Sequence, residues 1–347
     1  MSGALLSCRD LAVEYRTGGR VLRAVDGVDL DVEPGQSVAI VGESGCGKST
    51  LARAIMGLTP ASRGSIKLEG RELVGLSQRE LRPLRPAVQM VFQNPYGSLN
   101  PRLTVGRIIE EPMFVQKVGT PQSRRERVRE LLGMVGLDSG SERQYPHEFS
   151  GGQRQRIAIA RALALSPKLI VCDEPVSALD VSVQAQVINL LVRLQRDLGI
   201  SYLFISHDLS VVRHLAHSTV VMYLGRVVAR SSSRMFWNAP LHPYVAALKQ
   251  ATPTMQVLDE GYVPPPVLEG EIPSAIDPPP GCRFSTRCPH VQPQCRESYP
   301  PLRPVSAVEA VACHRVEVQA DGSATTPWGV KSAPAAPLPQ AGGDPHS

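Results

Sequence analysis

The sequence predicts an α/β fold built on a parallel sheet, with a helical insertion and a proline- and cysteine-rich extension. Three observations point there. Short apolar runs alternate with helical patterns. A glycine-rich loop joins the first of these runs to a helix. Proline becomes frequent after about residue 235. The chain has 347 residues, enough for one large domain plus an extension, or for two domains.

Residues 36–41 (QSVAIV) read as a short buried strand, Gly42 to Gly47 as the glycine-rich loop and Ser49 to Met56 as a helix. Two more apolar runs read as buried parallel strands. One is Leu169-Ile170-Val171-Cys172, ending at Asp173; the other is Tyr202-Leu203-Phe204-Ile205, ending at Ser206 and His207. Between them, Val183–Leu198 puts Val187, Leu190, Leu191 and Leu194 on one helical face. Residues 94–150 have a different texture and predict a helical insertion. In it Thr120 is a candidate N-cap, Pro121 takes the first helical position, Val128, Leu131, Leu132 and Val135 follow at helical spacing, and Gly136 ends the element. Arg124, Arg125, Arg127 and Arg129 on this helix read as a solvated face in preference to an anion-binding one. The stretch Tyr262–Pro280 predicts extended, polyproline-like chain, and residues 317–347 a disordered tail. Expected boundaries are therefore 1–235, 236–316 and 317–347.

Composition excludes several classes. A formal charge of +5 is modest for this length and does not by itself argue for nucleic acid, which usually shows as basic residues clustered on one face. No run of 18 apolar residues occurs, so no spanning helix is expected. The N-terminus lacks a basic segment followed by an apolar one, which argues against secretion.

The chemistry lies in a few short motifs. Gly42-Glu43-Ser44-Gly45-Cys46-Gly47-Lys48-Ser49 fits G-x-x-x-x-G-K-[ST] at every fixed position, with Thr50 next. Glycines let successive backbone N–H groups point at phosphates, and the following helix adds its positive end. Lys48 is then expected on the β- and γ-phosphates and the Ser49 hydroxyl on Mg²⁺. Asp173 ends an apolar strand, where open α/β sheets place ligands, and suits Mg²⁺. Glu174 follows as the candidate general base. Alone, His207 reads as a polar loop residue and Gln93 is uninformative. Beside the other motifs, His207 is expected near the γ-phosphate and Gln93 between Mg²⁺ and the attacking water.

Phe149-Ser150-Gly151-Gly152-Gln153 resembles the Leu-Ser-Gly-Gly-Gln signature of ABC transporter nucleotide-binding subunits, with Phe149 in place of the leading Leu. Ser177-Ala178-Leu179-Asp180 resembles the family's D-loop, and Tyr15 stands where the family places an aromatic residue on adenine. The resemblance covers residues 5–235. It implies a P-loop NTPase core with a RecA-like parallel sheet, an antiparallel β subdomain and the helical ABC insertion. It further implies ATP and Mg²⁺, and two subunits packed head to tail, so that each ATP lies between one P-loop and the other subunit's signature. A soluble ABC protein acting on nucleic acid or ribosomes is disfavoured, because the chain has one P-loop, one signature and no heptad stretch.

Past residue 235, His242-Pro243-Tyr244, Gly281-Cys282-Arg283-Phe284 and Arg287-Cys288-Pro289 resemble the C-terminal extension of oligopeptide/dipeptide importer ATPases. Gln93-Asn94-Pro95-Tyr96-Gly97-Ser98-Leu99-Asn100-Pro101 resembles the same subfamily, nearest its F-type subunit, with nickel importers as an alternative. The resemblance implies two membrane permease subunits, a second ATPase subunit that is a paralogue, an extracytoplasmic binding protein, and a peripheral place on the cytoplasmic face of the cell membrane. Cys282, Cys288, Cys295 and Cys313 are spaced C-x5-C-x6-C-x17-C, looser than structural zinc pairs. That spacing suits a [4Fe–4S] cluster, as related subunits carry; zinc and four free thiols are the alternatives.

Overall fold

A computed structural model describes residues 3–251, 270–306, 308–319 and 323–332. Its two larger sheets are built from β1 (Leu6–Thr17), β2 (Arg20–Val32), β3 (Ser37–Val41), β4 (Arg63–Leu68), β5 (Arg71–Glu72), β6 (Val88–Val91), β7 (Leu169–Asp173), β8 (Ser201–Ile205), β9 (Ser218–Tyr223), β10 (Arg226–Ser232), β11 (Arg303–Pro304) and β12 (Ala310–Val311). Eight of them form one sheet in the order β11-β12-β10-β9-β3-β8-β7-β6. Pairings from β6 through β9 are parallel, whereas β10, β12 and β11 join antiparallel. β2, β1, β4 and β5 make a separate antiparallel sheet.

The three apolar runs read from sequence are β3, β7 and β8. Side chains alternate across a strand, so a run that is apolar at every position must be covered on both faces. Ile170, Cys172, Tyr202 and Phe204 face one core with the helices Val105–Val115, Pro121–Met134, Gly151–Leu163 and Val181–Leu198. Leu169, Val171, Leu203, Ile205, Val38 and Ile40 face a second core, built with β1, β2 and the helix Lys48–Ile55. Ala39 and Val41 face a third, shared with Tyr244 and Phe284 of the extension. Helix Val181–Leu198 buries Val187, Leu190, Leu191 and Leu194, the face its spacing predicts.

The helical insertion follows its start signal. Thr120 caps Pro121–Met134: its hydroxyl accepts from Ser123 N at 3.2 Å, and Ser123 Oγ accepts from Thr120 N at 2.9 Å. Val128, Leu131, Leu132 and Val135 are buried. Of the four arginines, Arg124 pairs with Glu110, Arg127 with Glu130 and Arg129 with Glu142. Thr120→Ala leaves an N-terminal amide without its acceptor and is expected to cost about 1 kcal/mol in urea denaturation of the intact chain.

The extension differs in one respect from its expected texture. Residues 270–280 contain neither helix nor strand, as their prolines imply. Yet Glu317–Val318, Ala324–Thr325 and Lys331–Ser332, expected within a disordered tail, form a three-stranded antiparallel sheet. A small core explains it: Ala324 and Val316 are buried with Leu241, and Val318, Trp328 and Val330 pack on them. Residues 252–269, 320–322 and 333–347 lie outside the described residues. Among the described residues, no helix is long and apolar enough to cross a membrane.

Candidate active site

β3 delivers the chain into the loop Gly42–Gly47, and the helix Lys48–Ile55 leaves it. Gly47 caps that helix with φ 104° and accepts the first helical bond, from Leu51 N at 2.9 Å. Lys48 is buried, and its Nζ donates to Gly42 O at 2.8 Å and Glu43 O at 2.9 Å. The ammonium is thus held inside the ring of the loop, where a phosphate chain would meet it. Cys46 is buried, and burial pushes its thiol up, in keeping with a small packing residue.

Asp173 ends β7 one strand away from β8, and Ser49 Oγ donates to Asp173 Oδ1 at 2.9 Å. Burial pushes the Asp173 carboxyl up, and the Ser49 hydroxyl opposes that shift. A hydroxyl and a carboxylate converging at the head of a phosphate loop form an all-oxygen donor set, which fits Mg²⁺. Glu174 comes next, in a left-handed conformation (φ 47°) that is uncommon outside glycine and recurs at functional sites. Its backbone N donates to Ile205 O at 3.0 Å. Its Oε2 accepts from Gln93 Nε2 at 2.8 Å, and His207 Nδ1 lies 3.2 Å from its Oε1. Residues 81 and 33 positions from Glu174 in sequence therefore meet on one carboxylate.

These groups open on one cleft of about 570 Å³, lined by Tyr15, Ser44, Gly45, Gly47, Lys48, Ser49, Thr50, Gln93, Glu174 and His207. Gly42, Glu43, Cys46 and Asp173 do not line it. Sequence reasoning missed Leu22, Arg23 and Ala24 of β2, Gly225 and Ala275, which also line it; none carries a motif. Ser150, Gly151, Gly152, Gln153 and Asp180 do not line the cleft. Ser150 caps the helix Gly151–Leu163 through a reciprocal box with Gln153 (Ser150 N to Gln153 Oε1 2.9 Å). Phe149 is buried in the core, so its replacement of a leucine is a packing change. Asp180 stands at the N-cap position of the helix Val181–Leu198 without a side-chain cap bond, and Val181 beside it is 82% exposed.

The late cysteines correct an expectation. Cys282, Cys288, Cys295 and Cys313 do line one enclosed cavity, but it measures about 10 Å³. Among the described residues, no three His, Cys, Asp or Glu side chains are disposed to hold a metal ion. Burial pushes the Cys282 thiol up to about 12 and the Cys288 thiol up to about 11. A [4Fe–4S] cluster is therefore not supported by this arrangement; the four cysteines stand beside Phe284 and His242 around the cavity.

Comparison with known proteins agrees with this geometry. Residues 25–177 match the ABC transporter family, and residues 230–295 match the oligopeptide/dipeptide transporter C-terminal region. A probable peptide ABC transporter ATP-binding protein of Sinorhizobium fredii is 49% identical over 321 residues, covering 90% of each chain. The di/tripeptide transport ATP-binding protein DppF of Pseudomonas aeruginosa is 46% identical over 319 residues, covering 90% of this chain and 98% of its own. The oligopeptide transport ATP-binding protein OppF of Escherichia coli is 50% identical over 300 residues, covering 86% and 89%. Among solved structures, a dimeric post-hydrolysis ATP-binding cassette with ADP and Pi is 31% identical and superposes with a TM-score of 0.61, over 66% of this chain and 99% of that one. With its phosphate loop, acidic strand end and signature in this arrangement, the chain belongs to the ABC transporter ATP-binding proteins that carry the oligopeptide/dipeptide C-terminal region.

Proposed function

We propose that the chain binds and hydrolyses ATP to power import of di- or oligopeptides through a membrane permease. The observation that carries the hydrolytic part is the convergence of Gln93 and His207 on Glu174, beside the Ser49–Asp173 pair. Ser49, Asp173 and Gln93 are the residues to hold Mg²⁺, which when bound neutralises phosphate charge. Lys48 and the amides of residues 44–50 bind the phosphates, and Tyr15 stacks on the base. Glu174 takes a proton from the attacking water, Gln93 orients that water, and His207 holds the far side of the carboxylate. The substrate class rests on the names of the relatives and on the C-terminal region they share.

The signature is absent from the cleft lining, while Asp180 and Val181 stand exposed. Both facts support a site completed by Ser150–Gln153 of a second ATPase subunit, a paralogue in this reading. A second cleft of about 510 Å³ runs between Met56, Leu58 and Phe92 on one side and Pro112 and Val115 of the helical insertion on the other. Its exposed apolar side chains support docking of a permease subunit, two in a complex with two ATPase subunits, and hence a peripheral place on the cytoplasmic membrane face. An extracytoplasmic binding protein would then select the peptide. Residues 1–235 serve as the nucleotide-binding domain and 236–316 as the transporter extension. The test is expression with the neighbouring permease and ATPase genes: co-purification with two membrane subunits and ATP-dependent peptide uptake are expected. A monodisperse ATPase that binds no membrane protein would exclude this reading.

A further inference from the structure

The C-terminal extension reaches the phosphate loop itself. Arg287 forks onto the Glu43 carboxylate, with Nη1 to Oε2 at 2.7 Å and Nη2 to Oε1 at 3.0 Å. The Arg287 side chain is 7% exposed and the Glu43 side chain 22%. Nη1 also lies 3.4 Å from Tyr223 Oη, whose ring the guanidinium overlies at 6.0 Å. Burial of Arg287 is offset by this carboxylate, which holds the guanidinium above its ordinary range.

The Glu43 backbone is held from the same region. Glu43 N donates to Tyr244 Oη at 2.9 Å, while Glu43 O accepts from Lys48. Tyr244 is aimed there by its own helix start. The fully buried His242 accepts from Tyr244 N at 3.0 Å through Nδ1, and burial pushes its pKa down to about 3, so it stays neutral. Arg283, four residues before Arg287, donates to Leu224 O and to the buried Asp26, next to the β2 residues that line the cleft. Ala275 of the extension lines the cleft as well.

A carboxylate in a loop built to bind a triphosphate is an electrostatic liability. At close range and reduced dielectric, an unpaired Glu43 would repel the incoming phosphates. A planar, bidentate guanidinium cancels that charge and also fixes where the loop backbone sits. We propose that Arg287 is a positioning residue of the nucleotide site, through which the extension neutralises Glu43 and thereby keeps the phosphate loop open to ATP. The phosphate loop's side chain and its partner lie 244 residues apart, so the site is complete only when the extension is folded against the core. This rests on the ATP-hydrolysing reading above, which it deepens.

The test uses the intact chain and its R287A, R287K, E43Q and E43Q/R287A variants. Equilibrium ATP affinity is read separately from KM and kcat. R287A is expected to lose about tenfold in ATP affinity, equivalent to about 1.4 kcal/mol, and to raise KM by the same factor. Its kcat at saturating ATP should stay within about twofold, because the loss is of ground-state binding. R287K, which meets one carboxylate oxygen at a time, should lose less. E43Q/R287A, with no carboxylate left unpaired, should recover most of the affinity. Unchanged ATP affinity in R287A, or a double variant as weak as R287A, would overturn the proposal. Should R287A fail to fold, R287Q and E43Q/R287Q, which keep a polar side chain without its charge, decide in the same way. A chain that binds ATP but never hydrolyses it would remove the ATPase reading and leave the affinity comparison to judge Arg287.

Discussion

Glu174→Gln is expected to bind ATP about as tightly as the native chain and to lose on the order of 100- to 10,000-fold in kcat. The substitution keeps the shape of the side chain and an acceptor oxygen for Gln93 Nε2. It keeps the backbone bond from residue 174 to Ile205 O, which fixes the left-handed turn after β7. What it removes is the ability to take a proton from water. The phosphate contacts, the Ser49–Asp173 pair and Lys48 are untouched, so affinity should not fall. Phosphate release at saturating ATP, with equilibrium binding measured in parallel, separates the two effects. Turnover within about tenfold of the native chain would remove Glu174 from the base role and transfer attention to His207, which shares its carboxylate. A variant that fails to bind ATP would instead mean that Glu174 supports the loop.

The parts of this site that were legible in sequence are those whose physics is local. A phosphate loop is a run of glycines followed by a lysine and a hydroxyl, and each residue does its work within a few positions of the next. β3, β7 and β8 announced themselves because strands buried on both faces are apolar at every position. Asp173 and Glu174 were placed by ending such a strand. Gln93 and His207 gain a role only beside the other motifs, since nothing near them in sequence says that both will meet Glu174. Tyr244 and Arg287 lay beyond that reach. Each was noticed within a short motif, but its partner, Glu43, is 201 or 244 residues away. Pairing across that distance is a property of the folded core around Tyr223 and Phe284, not of either segment. The same limit explains the tail. Residues 317–319 and 323–332 are poor in apolar residues, and their sheet forms because Leu241 and Val316 supply the rest of a small core. It explains the cysteines too: spacing can suggest four thiolates around a cluster, but whether a cavity of the right size exists between them depends on packing.

Gly47→Ala is expected to weaken ATP binding by more than about 100-fold, or about 2.7 kcal/mol, and to lower the thermal midpoint of the chain. Two costs add. Gly47 has φ 104°, outside the conformations that L side chains adopt readily. A Cβ there would also stand 2.0 Å from Ala24 O, a backbone atom of β2. That carbonyl cannot retreat cheaply. Neighbouring Asp26 N bonds Gly225 O at 2.8 Å, Gly225 N bonds Cys46 O at 2.9 Å, and Asp26 is tied to Arg226 and Arg283. The loop must therefore move away from β2, carrying with it the Lys48 ammonium and the first amides of the following helix. Gly35→Ala supplies the control. Gly35 has a comparable left-handed φ of 74°, yet a Cβ there meets nothing within 4 Å. It should cost only the backbone penalty, about 1–2 kcal/mol of stability, and leave ATP affinity within about twofold. Equal losses of affinity in the two variants would mean that the strain of a positive φ, and not the close approach of β2, dictates glycine at the head of the phosphate loop.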